Sequence, residues 1–177
     1  MTKNLKLGIM MFLQYAVWGA WMPVTSRFLT ASVMDGGLGF TDSQMAIILG
    51  FAASIGALSA PFIAGQVADR YFSTEKILAF LVISGGLVKW YTALQTDFNA
   101  WLYLSILYSI LYMPTLALSN SIAFAHLEDS ENNFPKIRAW GTIGWIVATW
   151  TFPMIWLQTD LGFSFMPPFL IGSEVEG

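Results

Sequence analysis

The few charged residues of this sequence are distributed in a way that strongly limits its fold. Five long stretches are almost free of them: 7–28, 43–68, 77–96, 98–125 and 139–159. Within these stretches only Arg27 and Lys89 carry a charge. An α-helix needs about 20 apolar residues to cross a bilayer, and each stretch reaches that length. The pattern therefore predicts an all-α integral membrane protein with five transmembrane helices.

The composition agrees with this fold class and argues against several others. Charged residues make up 11% of the 177 residues, against about 25% in soluble domains. The 8 basic residues are fewer than the 11 acidic ones and form no cluster that would bind nucleic acid. Because the chain has no cysteine and one histidine, the sequence predicts no disulfide, no metal site and no cofactor.

Enzyme motifs are also missing from the sequence. The chain has neither a glycine-rich phosphate loop nor a Gly-x-Ser-x-Gly nucleophile motif. The five spans hold no Asp or Glu, so a carboxylate that titrates during proton-driven transport would lie outside this chain. We therefore expect a protein that is not an enzyme.

Basic residues predict the orientation in the membrane, because they are enriched in cytoplasmic loops. If the chain weaves through five spans, most of its basic residues fall on one face of the membrane: Lys3, Lys6, Arg70, Lys76, Lys136 and Arg138. The N-terminus of this multi-pass protein is therefore expected in the cytoplasm, with the helices in the cell membrane. Residues 1–159 are expected to form one transmembrane domain. Residues 160–177, interrupted by Pro167 and Pro168, are expected to form an extended extracytoplasmic tail.

Polar and aromatic side chains are aligned along one face of three predicted helices, at spacings of three or four residues. The first helix has Gln14, Trp18, Trp21 and Thr25, the fourth has Tyr108, Tyr112, Thr115, Ser119 and Asn120, and the fifth has Arg138, Thr142 and Trp145. Each stripe alone also fits an aromatic belt at the membrane surface or hydrogen bonds between helices. Together the stripes predict a shared polar cavity for a planar, hydroxylated, largely uncharged solute.

Small residues recur along one face of the second predicted helix. Ala52, Gly56 and Ala60 follow each other at four-residue spacing. In lipid, small residues at this period let two helix backbones approach closely. The sequence therefore predicts that another helix packs tightly against this face.

Four segments of the chain carry a resemblance to a known family. They are 5–21, which ends in Trp-Gly-Ala-Trp, 65–70 (Gly-Gln-Val-Ala-Asp-Arg), 112–120 (Tyr-Met-Pro-Thr-Leu-Ala-Leu-Ser-Asn) and 134–145 (Phe-Pro-Lys-Ile-Arg-Ala-Trp-Gly-Thr-Ile-Gly-Trp). The second segment is typical of the whole major facilitator superfamily. The last two are similar to its nucleoside:proton symporter branch. The resemblance covers roughly residues 3–157.

The resemblance implies a twelve-helix transporter built from two six-helix halves around a midplane site. This chain would then be five helices of the N-terminal half of a major facilitator superfamily fold, truncated before helix 6. The missing C-terminal half would be its partner and would supply the proton-coupling carboxylates. Nucleosides, protons and the lipid bilayer are the other partners implied.

The resemblance also assigns roles to individual residues. In the family, the helix 5 arginine, the threonine one turn later and the next aromatic residue contribute to nucleoside binding. These positions match Arg138, Thr142 and Trp145 here. The polar stripes add further candidates to the predicted substrate site: Gln14, Trp18, Tyr112, Thr115 and Asn120.

A second family motif lies between the second and third predicted helices. It matches Gly65, Asp69 and Arg70, which would latch the two halves together on the cytoplasmic side during alternating access. The usual basic continuation of the motif is replaced here by residues 71–76.

Two other functions remain open on the residues alone. A facilitator for sugars or polyols would use the same aromatic and amide surfaces, and competition between nucleosides and sugars would separate it from a nucleoside transporter. A small membrane scaffold without transport activity is the second alternative. It predicts that the five-helix chain is stable and folded in the membrane by itself.

Overall fold

The structure of the protein is a computed structural model, and it describes residues 2–64 and 73–156. This part of the chain contains five long helices: α1 (Lys3–Thr30), α2 (Asp42–Phe62), α3 (Thr74–Ala93), α4 (Phe98–His126) and α5 (Ser130–Trp156). The first four are long and apolar enough to cross a membrane. The predicted all-helical architecture is therefore confirmed, whereas the crossing of the membrane by α5 stays a prediction.

Three of the helices begin three or more residues before the predicted spans. α1 begins at Lys3, α3 at Thr74 and α5 at Ser130, in segments that carry charged side chains. The charge pattern marks only the part of a helix that lies in hydrocarbon, since a helix satisfies its own backbone groups and can continue into water. The predicted tail after residue 159 lies outside the described residues.

The loop after α1 explains how the chain begins its second helix. Gly36 and Gly39 adopt φ values of +79° and +67°, which glycine reaches without a steric cost. The loop then pairs with the end of α1, and the Phe40 amide donates to the Leu29 carbonyl at 2.8 Å. Thr41 caps α2 in a capping box with Gln44. Within α2, Ile47–Phe51 is π-helical.

The contacts divide the chain into two units, and the first pairs α1 up to Arg27 with α5 from Pro135 onward. The backbones of these helices touch at glycines. A Cβ atom at Gly19 would lie 2.7 Å from the Trp145 carbonyl oxygen, and one at Gly144 would collide with the Phe12 carbonyl oxygen. The Thr149 hydroxyl also donates to the Gly19 carbonyl at 3.4 Å. Small residues thus allow the close approach that packs helices in lipid.

The second unit runs from Phe28 to Phe134, and α4 is its central helix, with contacts to both α2 and α3. At one end, Leu29, Ile48 and Trp101 form an apolar cluster. A second cluster joins Ile77 and Leu81 of α3 to Leu118 of α4. Both clusters depend on side chains of α4, which explains why this helix is the most buried of the four candidate spans.

The small-residue face of α2 packs against α4, as predicted. Ala52 and Gly56 are buried, and a Cβ atom at Gly56 would lie 2.6 Å from both the Cβ atom and the carbonyl oxygen of Ser109. The prediction of close helix packing at this face is therefore confirmed.

Lys89 of α3 lies against the aromatic side chains of α4. Its ammonium nitrogen is 5.6 Å from the ring centroid of Trp101 and 5.2 Å from that of Tyr108. These distances are within the range of cation–π attraction, which strengthens when the groups are removed from water. The one charged side chain of the predicted span 77–96 is thus held at the α3–α4 interface.

Replacing Gly56 with alanine tests the α2–α4 packing. We expect Gly56→Ala to lower the free energy of unfolding by about 1–3 kcal/mol, because the added methyl group forces the two backbones apart. Titration of the purified protein from mild detergent into sodium dodecyl sulfate, followed by far-ultraviolet circular dichroism, measures this change.

Gly50 in the same helix is the matched control, because a Cβ atom there has no neighbour within 4 Å. Gly50→Ala is expected to leave the unfolding midpoint unchanged or to raise it. Equal destabilisation by the two substitutions would contradict the packing described here.

Candidate functional site

The first unit contains a cavity of about 360 Å³ between α1 and α5. Six residues line it: Tyr15, Trp18, Met22, Arg138, Thr142 and Trp145. Small-molecule sites typically occupy about 300–1,000 Å³ and combine aromatic walls with a few polar groups. The size and lining of this cavity therefore suit a small organic ligand.

Helix geometry explains why these six side chains meet. On α5, Arg138, Thr142 and Trp145 follow at i, i+4 and i+7, so they form one stripe. Tyr15, Trp18 and Met22 form the facing stripe on α1, at i, i+3 and i+7. The glycine contacts between the two backbones hold these stripes opposite each other.

The two tryptophans of the cavity are in contact. The ring centroids of Trp18 and Trp145 are 5.1 Å apart, and the ring planes meet at 72°. Aromatic pairs prefer such edge-to-face arrangements because the positive ring edge meets the negative face. The pair gives the cavity a large aromatic wall.

Arg138 supplies the charge of the cavity. Its guanidinium carbon lies 4.1 Å from the centroid of the Tyr15 ring. None of the six lining residues is acidic. The polar groups of the lining residues are thus a guanidinium and two indole N–H groups, which only donate hydrogen bonds, and the hydroxyl groups of Tyr15 and Thr142, which can donate or accept.

Four of the eight predicted substrate-site residues line this cavity: Trp18, Arg138, Thr142 and Trp145. Gln14 lies one turn before Trp18 but is only 8% exposed and is not part of the lining. Sequence reasoning missed Tyr15 and Met22. Both lie within one helical turn of Trp18, and this spacing was the available signal for them.

The other three predicted residues belong to α4 in the second unit. The Tyr112 ring stacks on that of Tyr108, with centroids 5.4 Å apart. Thr115 is fully buried, and its hydroxyl donates to the Tyr112 carbonyl. The amide oxygen of Asn120 is buried and accepts no hydrogen bond from the described residues. A role of Tyr112, Thr115 and Asn120 in binding a ligand remains a prediction.

The residues of the predicted latch, Gly65, Asp69 and Arg70, lie outside the described residues. Within residues 2–64 and 73–156, no group of three or more histidine or acidic side chains is arranged to hold a metal ion.

Four apolar helices of spanning length define the class of this chain, a multi-pass α-helical membrane protein. Comparison with known families makes the assignment specific. The chain belongs to the nucleoside H+ symporter family, which it matches over residues 1–176. This match confirms the resemblance seen in the four sequence segments.

Individual proteins show similarity over most of the chain. YegT of Escherichia coli strain K12 is 40% identical over 84% of this chain and 33% of its own length. A xanthosine permease of the same organism is 33% identical over 89% of this chain and 37% of its own length. The chain therefore spans about a third of the length of these relatives.

A solved structure confirms the predicted fold class. The crystal structure of the nucleoside transporter NupG matches with a TM-score of 0.77 and 30% sequence identity. The match covers 85% of this chain and 36% of that one. The helices described here therefore adopt the fold of a corresponding part of a transporter of the major facilitator type.

The tryptophan pair offers a spectroscopic test of the cavity. Two indoles about 5 Å apart couple their electronic transitions, so the chain should show an exciton couplet in circular dichroism. We expect Trp18→Phe and Trp145→Phe to remove the same couplet, and the double variant to lose nothing more.

Trp150→Phe is the control. Trp150 lies on α5, like Trp145, but is 48% exposed, so its replacement should leave the couplet intact. Loss of different bands in the two single variants would contradict the observed pairing.

Proposed function

We propose that this chain forms the N-terminal part of a proton-coupled nucleoside transporter of the cell membrane, and that the nucleoside binds in the α1–α5 cavity. The observation that carries the proposal is the lining of this cavity, in which Arg138 and Thr142 lie beside the Trp18–Trp145 pair. Family membership over residues 1–176 supports the substrate class. The N-terminus would lie in the cytoplasm, as the distribution of basic residues favours.

The chemistry of the lining fits a nucleoside. A nucleobase is planar and apolar on its faces, so it can stack against indole rings. Its carbonyl and ring nitrogen atoms accept hydrogen bonds, which the planar guanidinium of Arg138 can donate in pairs. The Thr142 hydroxyl can donate to or accept from a ribose hydroxyl. Transport would move this ligand across the membrane without chemical conversion.

Proton coupling would depend on residues beyond this chain. The five predicted spans hold no Asp or Glu, and the match covers only about a third of the length of the relatives. The remaining part of a protein of that length would supply the titrating carboxylates and the second wall of the site. Gly65, Asp69 and Arg70 would latch the two halves on the cytoplasmic side as they rock in alternating access.

The first test measures binding in a complete transporter. Residues 1–156 of this chain are joined in place of the matching segment of NupG, and uridine binding is followed by titration calorimetry. We expect Arg138→Ala and Trp145→Ala each to weaken binding at least about tenfold, because each removes a charge-assisted hydrogen bond or a stacking surface. Trp150→Ala, on the same helix and outside the cavity, should leave the affinity within about twofold.

Competing ligands separate nucleosides from sugars in the same chimera. Adenosine should displace uridine, and glucose should not. Unchanged uridine affinity in both the Arg138→Ala and the Trp145→Ala variants would refute the assigned site. Displacement by glucose alone would instead favour a sugar facilitator.

The second test uses the 177-residue chain by itself. We expect vesicles that contain only this chain to take up labelled uridine no faster than empty vesicles, because one wall of the transport site is supplied by the other half. NupG in matched vesicles is the positive control. Uridine uptake above the empty-vesicle rate would contradict the proposal that the other half supplies one wall of the transport site. A stable folded chain that neither transports nor restores transport with the rest of NupG would favour a scaffold.

A further inference from the structure

Tyr15 of α1 lies against two residues of α5, Arg138 and Gly141. One face of its ring lies against the Arg138 guanidinium, whose central carbon is 4.1 Å from the ring centroid. The ring also lies over Gly141, where an added Cβ atom would be 2.6 Å from Tyr15 Cδ2. The same Cβ atom would lie 3.0 Å from Arg138 Nη1. Tyr15, Arg138 and Gly141 therefore form one packed unit, which we call the tyrosine–arginine stack.

Gly141 provides the space that this stack requires. It follows Arg138 by three residues, so the two residues lie on the same face of α5. Any side chain at position 141 would push the ring or the guanidinium away, because a Cβ atom closer than 3.0 Å to another heavy atom forces one of the two to shift. Glycine at position 141 therefore leaves the space that the aromatic ring at position 15 occupies.

The contact with Tyr15 restrains the Arg138 side chain in a cavity whose lining offers no carboxylate to hold it. An arginine side chain has many rotatable bonds, and holding it in one geometry costs conformational entropy. A carboxylate often provides the restraint, but none of the six lining residues is acidic. An aromatic face attracts the guanidinium without using its hydrogen bonds. The ring face offers no acceptor atom of its own, so the N–H donors that are not directed at the ring remain available to a ligand.

We infer that Tyr15 is a positioning residue that holds the Arg138 guanidinium by its ring face, so that the in-plane donors are ready for a ligand with hydrogen-bond acceptors. The inference rests on the proposed function only in identifying that ligand as a nucleoside. The ring, and not the phenol hydroxyl, performs this task. Phenylalanine at position 15 should therefore be equivalent, whereas an aliphatic side chain of similar size should not.

Nuclear magnetic resonance of the chain in lipid nanodiscs tests the stack without any ligand. With ¹⁵N- and ¹³C-labelled arginine, the side-chain protons of Arg138 should resonate upfield of those of exposed Arg27, because they lie over an aromatic face. The upfield shift should persist in Tyr15→Phe and disappear in Tyr15→Leu. Arg138→Lys assigns the signal by its loss. An Arg138 signal that is identical in the unsubstituted chain and in Tyr15→Leu would overturn the inference.

Gly141→Ala provides a second variant that keeps the ring. The added methyl group should displace the stack and move the Arg138 signal toward that of Arg27, although Tyr15 is intact. This measurement also decides the question if Tyr15→Leu does not fold. An unchanged Arg138 signal in Gly141→Ala would contradict the packing on which the inference depends.

Uridine binding to the NupG chimera tests the consequence for the site. Tyr15→Leu should weaken binding about tenfold, and Tyr15→Phe should restore the original affinity. In the Arg138→Ala background, Tyr15→Leu should have no further effect, since Tyr15 acts through Arg138. Additive losses would refute positioning. If the chimera binds no uridine at all, the proposed function fails, while the resonance shifts still decide whether Tyr15 holds Arg138.

Discussion

The close approach of the α1 and α5 backbones is the interaction on which the candidate site depends. In lipid, apolar side chains gain little from leaving their surroundings, so helices associate through van der Waals contact and small residues. Gly19 meets the Trp145 carbonyl and Gly144 meets the Phe12 carbonyl. Because the backbones touch there, the large side chains next to these glycines must pack around the contact, and Trp18 and Trp145 become a pair that walls a cavity.

In the second unit the helices also pack through a glycine, whereas its polar side chains form hydrogen bonds within their own helix. Gly56 brings α2 onto Ser109 of α4. The hydroxyl groups of Thr115 and Ser119 donate to carbonyl oxygens of their own helix, at Tyr112 and Leu116. A hydroxyl that is satisfied within its helix can be buried in apolar surroundings at little cost. Hydroxyl stripes in membrane helices are therefore weaker indicators of a ligand site than arginine or paired aromatic residues.

Much of the fold, and the common cavity of four residues of the predicted site, could be read from the sequence. The charge-free stretches predicted all five helices, and the spacing of Arg138, Thr142 and Trp145 predicted their common face. Spacing places Tyr15 within one turn of Trp18, but it does not show that the Tyr15 ring lies over Gly141 on another helix. It also suggested Gln14 for the lining, although this side chain is buried beside the cavity. Periodicity identifies a helix face, but the width of the face that reaches a cavity depends on how the partner helix lies against it.

What the sequence by itself determined is the class of protein, because hydrophobicity, charge distribution and the four motifs are properties of the chain alone. Five helices, a membrane environment and the nucleoside H+ symporter family follow from them. Only the tertiary structure decided which side chains meet. The edge-to-face contact of Trp18 with Trp145 and the stacking of Arg138 on Tyr15 join residues more than a hundred positions apart. Such contacts depend on where two backbones touch, which local patterns of sequence do not encode.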